Sequence, residues 1–418
     1  MILLARAIWS CKGSVVIDGA LRICADAVVA VGSINEISPL RGEPVVDLGD
    51  SIILPAFVNA HCHLDYTGLA GRLNPGLSFT DWVDQIIEVK RSMTMDEQES
   101  SWLLGAQMLM ESGCGMVFNI ESVPGLFSRM VKQTPLQVCP FTELIGFDDG
   151  DDEHLVHLAK RELSENAQLS MVAGLAPHSP YTTTAKVLNT LAGYADQEGS
   201  PIAVHVSESE DEWEMFTAGS GALFDKMKGL GRIMGDCCFE SPVQYFNHSG
   251  GAALRTLVVH ANYLINEDFD FLAKPGLSVV HCPQSHSWFG YPEFEYKRLA
   301  KKGVNVCLGT DSLASSGRAE SAFEELNMFD EMRKFKSRNP GIDIDDILDM
   351  ATYNGAKAMG LERQLGQLRE GMLANFSIIP FPKHLSDLKE AIISHEGCVS
   401  GLFIAGKHVF AGKQSIAD

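Results

Sequence analysis

The sequence predicts an α/β fold, a (β/α)8 TIM barrel joined to a small β-sandwich domain built from both chain termini. Three observations predict it. Eight short apolar, β-branched runs alternate with helix-like stretches between residues 51 and 310. The two ends of the chain instead alternate short strands with Gly and Asp turns and show no helical period. Histidines recur where the apolar runs stop. Parallel strands buried on both faces read as near-continuous apolar runs. Eight β-α units close into a barrel whose site gathers at the C-terminal strand ends.

The N-terminal stretch VVIDGALRICADAVVAVGSI and the C-terminal pieces ANFSIIPF and VSGLFIAGKHVFAGK read as short antiparallel strands. They assign residues 1–54 and 366–418 to the small domain and 55–365 to the barrel. The barrel runs are 51–58, 115–120, 136–145, 171–176, 201–206, 256–261, 277–281 and 304–310. Helix-like stretches between them include 185–197, 211–228 and 320–335. The acidic run DDGDDE at 148–153 lacks EF-hand spacing and reads as a solvated loop.

Composition excludes several classes. The 418 residues are 45% hydrophobic, enough for a buried core and too apolar for a disordered chain. With 54 acidic against 33 basic residues the formal charge is −21, unsuited to binding a phosphate backbone. The ten cysteines form no Cys-x-x-Cys pair and read as thiols of a reducing, cytoplasmic compartment. No stretch approaches 18 uncharged apolar residues, so no membrane span is expected. H-E-x-x-H, G-x-S-x-G and the P-loop motif are absent, as is the cytidine-deaminase pair H-x-E and P-C-x-x-C.

The histidines carry the chemistry. In VNAHCHLDYTGL, His61 and His63 stand two apart in an extended segment, so both imidazoles point one way. His178 follows the fourth run, His205 lies in the fifth, His260 and His281 close the sixth and seventh, and Asp311 follows the eighth. One isolated histidine at a strand end is ordinarily a packed rim residue. Six of them with a carboxylate, on one predicted face, point to a divalent ion, zinc first and iron second.

The ordered pieces LPAFVNAHCHLD, GLAPHSPYTTT, HVSESEDE, VVHANYL, VVHCPQSHSWF, LGTDSLAS and MATYNGAKAMGL resemble the amidohydrolase superfamily. They are most similar to its aminohydrolase branch of guanine, cytosine and S-adenosylhomocysteine deaminases and triazine chlorohydrolases. The resemblance spans nearly the whole chain. It implies that His61, His63, His205 and Asp311 hold one metal ion, that Glu208 of His-x-x-Glu shuttles protons, and that His260 polarises the substrate. Those relatives often carry Asn where His286 stands, and no Lys ends a middle strand as the two-metal branches require.

A metal lowers the pKa of bound water toward about 7. Asp311 then orients or deprotonates that water, and Glu208 passes protons to the ring nitrogen and the departing ammonia. Trp82, His178, His281 and Trp288 are the expected substrate contacts on a planar heterocycle. The stretches PHSPYT and HVSESEDEWEMFTAGSG are most similar to deaminases of adenosine-type nucleosides, including aminodeoxyfutalosine. The rivals are a chlorohydrolase or other aminohydrolase acting on a triazine or guanine-like ring, and a non-catalytic barrel scaffold. The expected partners are a small heterocyclic substrate and, optionally, a second copy in a homodimer, with no nucleic acid and no membrane.

Overall fold

The computed structural model describes residues 1–418 except 75, 239–240, 316–324, 383 and 413–418. Strands β1 (Ile2–Trp9), β2 (Val15–Cys24), β3 (Ala27–Ser33), β4 (Val45–Asp47) and β5 (Ser51–Pro55) share one mixed sheet with strands from the other end of the chain. Those are β14 (Phe376–Pro380), β15 (Gly401–Ile404) and β16 (Lys407–Ala411). The order is β16-β15-β14-β5-β1-β2-β3, with β4 paired to β1. The termini therefore meet where β5 lies antiparallel to β14, Ile53 facing Ile378. Leu3, Ile8, Leu21, Ile53, Phe376 and Phe403 make the core of this sheet.

The second sheet is the predicted barrel. Its strands are β6 (Phe57–Cys62), β7 (Cys114–Glu121), β8 (Gln137–Leu144), β9 (Gly174–Pro177), β10 (Ile202–Val206), β11 (Thr256–His260), β12 (Leu277–His281) and β13 (Asn305–Leu308). Each pairs with the next in chain order, and all pairs are parallel. The ring closes through a bridge between Cys62 and Asp311, with the His63 amide donating to the Asp311 carbonyl at 3.2 Å and the Asp311 amide to the His61 carbonyl at 3.0 Å. Gly309 allows this approach, because a Cβ there would lie 2.9 Å from both Cβ and O of His61.

The run 51–58, expected as the first barrel strand, is corrected to two strands. Pro55 has no amide to continue a ladder, and the backbone changes partners just after it. The Ala56 amide donates to the carbonyl of Asn375, just before β14, and the Phe57 amide to that of Gly113, just before β7. His61 consequently lies inside β6 rather than beyond it.

A register shift between Asn59 and Cys62 then changes which face of β6 looks inward. Val58 and Ala60 pack with the apolar residues lining the barrel, whereas Cys62 packs with the cluster under the helices. This places odd-numbered His61 and His63 inside.

Helices α1 (Phe79–Ser92) and α2 (Met95–Glu111) follow β6; α3 (Leu126–Met130), α4 (Asp152–Asn166) and α5 (Ala185–Glu198) follow β7, β8 and β9. The stretch 211–228, read as one helix, is α6 (Glu210–Ala218) and α7 (Ala222–Gly229). Gly219 and Gly221, at φ 62° and 102°, break it. The helix expected over 320–335 runs from Met328 to Arg338, with Asn327 capping the Phe329 amide; residues 320–324 lie outside the described residues. The acidic 148–153 stretch forms a short turn and the first residues of α4. No helix among the described residues is long and apolar enough to cross a membrane.

Candidate active site

Strand ends bring six of the seven predicted polar groups together. The His61 ring lies 4.9 Å from those of His63 and His205 and 5.9 Å from that of His260, while His178 stands 5.1 Å from His205. Asp311 directs Oδ1 at them, 3.5 Å from His61 Nε2 and 3.7 Å from His63 Nε2. Four backbone positions here lie in the left-handed region: Ser207, His260, Ala261 and Asp311, at φ 57°, 76°, 49° and 55°. Non-glycine residues are seldom held there, and such strain concentrates at functional sites.

The donor set fits a divalent cation. His205 Nδ1 lies 2.8 Å from the His178 carbonyl, which only accepts, so Nδ1 carries the proton and Nε2 keeps its lone pair. That Nε2 stands 3.4 Å from His63 Nε2. His61 Nε2 is buried with no hydrogen-bond partner among the described residues. Tetrahedral ligands about 2.1 Å from one ion are about 3.4 Å apart, close to the 3.4, 3.5 and 3.7 Å separations here. Among the described residues, two triads satisfy the proximity needed for a shared ion, His61–His63–Asp311 and His61–His205–His260. Burial pushes His63, His205 and His260 well below the usual histidine range, leaving neutral rings able to ligate. Burial opposes the charge on Asp311, but the surrounding histidines hold it ionised. Ser315 Oγ donates to its other oxygen, Oδ2, at 3.0 Å.

Glu208 follows β10 with its Oε1 3.6 Å from His260 Nε2. Burial, reinforced by the charges of Asp311 and Glu212, raises its pKa well above the ordinary carboxylate value, which favours the protonated form. These groups form the floor of a cavity of about 300 Å³. Helix α1 lines it with Trp82, Ile86, Lys90 and Arg91; Glu143, Phe147, His178 and Tyr181 line it as well. Trp82 is fixed by its indole N–H, which donates to the Ala314 carbonyl at 3.1 Å, and by the Phe79 and Phe289 rings.

Two expected contacts lie elsewhere. His281 ends β12, but its ring stacks on Phe294 at 3.9 Å and packs against Phe335 and His286, away from the cavity. The Phe294 and Phe335 rings enclose it on an apolar side of the strand end. Trp288 sits edge-on to Phe289 at 4.7 Å and is not part of the cavity wall.

The sequence reading passed over Glu143, Lys90 and Glu212. Glu143 lines the cavity and accepts no hydrogen bond from any described residue. Lys90 reaches back to Tyr66 OH at 3.0 Å, Ser122 Oγ at 2.5 Å and Asp65 Oδ2 at 3.5 Å. Glu212 is the acid of a Ser-x-x-Glu capping signal (Ser209 to Glu212), the one cue the sequence offered for it.

Residues 52–409 match the model of the amidohydrolase family, and the chain belongs to that family. The chain is 28% identical over 357 residues to the aminodeoxyfutalosine deaminase of Deinococcus radiodurans, covering 82% of this chain and 81% of that protein. Among solved structures, Helicobacter pylori aminofutalosine deaminase in complex with methylthio-coformycin superposes with a TM-score of 0.84 at 20% identity, covering 98% of this chain and all of that one. An adenosine deaminase from Xanthomonas campestris with bound zinc gives 0.81 at 22% identity, covering 97% and 92%. At such identities the likeness to the solved structures is one of fold.

Proposed function

We propose that this protein is a metal-dependent hydrolytic deaminase of an adenosine-type nucleoside. The observation that carries the reading is the proximity of the His61, His63, His205 and Asp311 donor atoms, with Glu208 beside them, at the floor of a cavity wide enough for a planar ring. In this reading those four residues hold one divalent ion, zinc first. When bound, such an ion supplies a water of lowered pKa as a nucleophile at neutral pH. The names of the relatives, deaminases of adenosine-type nucleosides, support the substrate class.

Asp311 Oδ1 orients the attacking water and takes its proton. Addition to the ring carbon that bears the amine leaves a tetrahedral carbon and calls for a proton on the adjacent ring nitrogen. Glu208 donates that proton, is recharged with the one Asp311 took from the water and delivers it to the departing ammonia; the hydroxyl proton released as the carbonyl forms restores Glu208. His260 Nε2 lies on the Glu208 side of the site and polarises the reacting carbon's oxygen substituent. Trp82 offers a ring face to the heterocycle.

Glu143 refines the substrate class. An unbonded carboxylate in a cavity wall calls for donors from the ligand. The adenine ring has only one N–H donor group, the reacting amine, so in this reading the sugar hydroxyls of the nucleoside are the groups that donate to Glu143, beside the Lys90 charge.

The test is ammonia release from adenosine derivatives, with the 2′,3′-dideoxy nucleoside beside its parent, and the same assay on Glu208→Gln. Glutamine keeps the size but cannot cycle a proton. We expect metal content and melting temperature to hold while kcat falls about 10²-fold or more. A variant with intact metal and near-normal turnover would remove Glu208 from the chemistry. Chloride release from a chlorotriazine without ammonia release from any nucleoside would overturn the substrate class.

A further inference from the structure

Behind Asp311 and Glu208 lies a third buried carboxyl group, Glu212, that does not line the cavity. Glu212 is fully buried in the first turn of α6. Both of its oxygens are used: Oε1 accepts from the Ser207 amide at 3.0 Å and Oε2 from the Glu208 amide at 2.7 Å. Its own amide donates to Ser209 Oγ, the helix cap, at 3.1 Å. A Glu at this helix position ordinarily returns to the amide of the capping residue. Here it reaches one and two residues further back, onto the two peptide groups that carry Glu208 out of the barrel.

Those peptide groups need holding. Ser207 is in the left-handed region, a conformation that persists only when its surroundings over-determine it. Its hydroxyl donates to the Tyr263 carbonyl, and Asn262 Nδ2 donates to the Glu208 carbonyl at 2.9 Å. Consecutive amides in such a turn form a concavity suited to an anion. Burying a carboxylate is costly unless its oxygens are satisfied, and two charge-assisted bonds satisfy both. The same clamp for helix capping alone would leave the Ser207 and Glu208 amides unpaired.

We infer that Glu212 is a positioning residue for the reaction: its carboxylate grips the Ser207 and Glu208 amides and so aims the Glu208 side chain at the reacting ring. The inference rests on the proposed proton-carrying role of Glu208. Asp211, next to it, instead accepts from the Thr80 amide and hydroxyl and ties α6 to α1, so the two neighbouring acids have separate tasks.

The experiment is a double-mutant cycle on the metal-loaded enzyme with Glu212→Gln, Glu208→Gln and the pair. Glutamine keeps one accepting oxygen but turns an NH2 toward the other amide, which rotates the peptide. We expect Glu212→Gln to lower kcat at least tenfold with KM within about threefold and metal content unchanged. In the Glu208→Gln background the same change should cost nothing further, because there is no proton carrier left to aim. Equal losses in both backgrounds, or a loss of metal, would make Glu212 a purely structural residue. A Glu212→Gln variant with wild-type kcat would overturn the inference outright while leaving the Glu208 reading intact. If Glu208→Gln itself keeps full turnover, the role of Glu208 falls first and the inference with it. Should Glu212→Gln not fold, Glu212→Asp serves in the same cycle, its shorter carboxylate unable to span both amides.

Discussion

Glu121 ends β7 with its carboxyl buried beneath the site. Oε1 accepts from Asn119 Nδ2 at 2.7 Å and from the Trp102 indole N–H at 3.2 Å, while Oε2 has no partner among the described residues. Burial raises its pKa from 4.5 to about 8, which favours the neutral form in the folded protein. The sign of the linkage follows. Between 4.5 and about 8 the folded chain binds the proton that the unfolded chain has released. Its contribution is therefore full below the unfolded value and is lost as pH rises through the folded one. Glu121→Gln keeps the accepting oxygen and removes the titration. The gain in melting temperature over wild type should be small near pH 5 and larger near about pH 9. Equal differences at the two pH values would contradict this account.

At the scale of elements, α1 forms a cavity wall because its last turn is anchored to the loop after β6. Ser78 caps its start by accepting from the Asp81 amide. At the other end Lys90 bridges Asp65, Tyr66 and Ser122, and Tyr66 in turn stacks on His63 at 4.8 Å. One ammonium thus links the helix that carries Trp82 to the segment that carries His63. Lys90→Met keeps the stem and removes the charge, which leaves Asp65 buried without its cation. Removing one partner of a buried pair is typically worth 3–5 kcal/mol. Lys90 is 20% exposed, so a loss of about 2 kcal/mol is the better expectation. Denaturant unfolding should show the drop in midpoint, with a rise in KM as the wall loosens. Lys90→Met combined with Asp65→Asn should recover part of the stability, because the orphaned charge is then gone. An unchanged midpoint for Lys90→Met would show that the anchor is not structural.

For the whole molecule, the apolar layers of the barrel do not depend on the ion. Residues such as Phe118, Phe141, Leu257 and Val259 fill its interior below the histidines, and a separate cluster packs beneath the helices. Chelation should therefore abolish turnover while far-ultraviolet circular dichroism and a cooperative melt persist. A structural zinc would behave oppositely, since its loss unfolds the domain that it organises. Active protein should contain about one divalent ion per chain if His61, His63, His205 and Asp311 act as the one donor set proposed above. Elemental analysis that finds two ions per chain, or none, in active protein would refute the single-ion site.

The sequence by itself determined the barrel, the joined termini and the row of histidines at strand ends, because these follow from local patterning. Buried parallel strands must be apolar over their length, and a polar side chain stays polar wherever the strand ends. Tertiary structure alone decided what depends on partners distant in the chain. The run 51–58 divides after Pro55 because its two halves pair with different sheets. His61 faces inward only because the register slips between Asn59 and Cys62, and no alternation pattern encodes a slip. His281 has the same strand-end position as His260, yet an apolar neighbour turns its ring away. No local pattern singles out Lys90, and for Glu212 the pattern offers only a capping signal; packing alone buries their contacts. A residue's type is written locally, whereas the direction of its side chain is settled by whatever the fold brings against it.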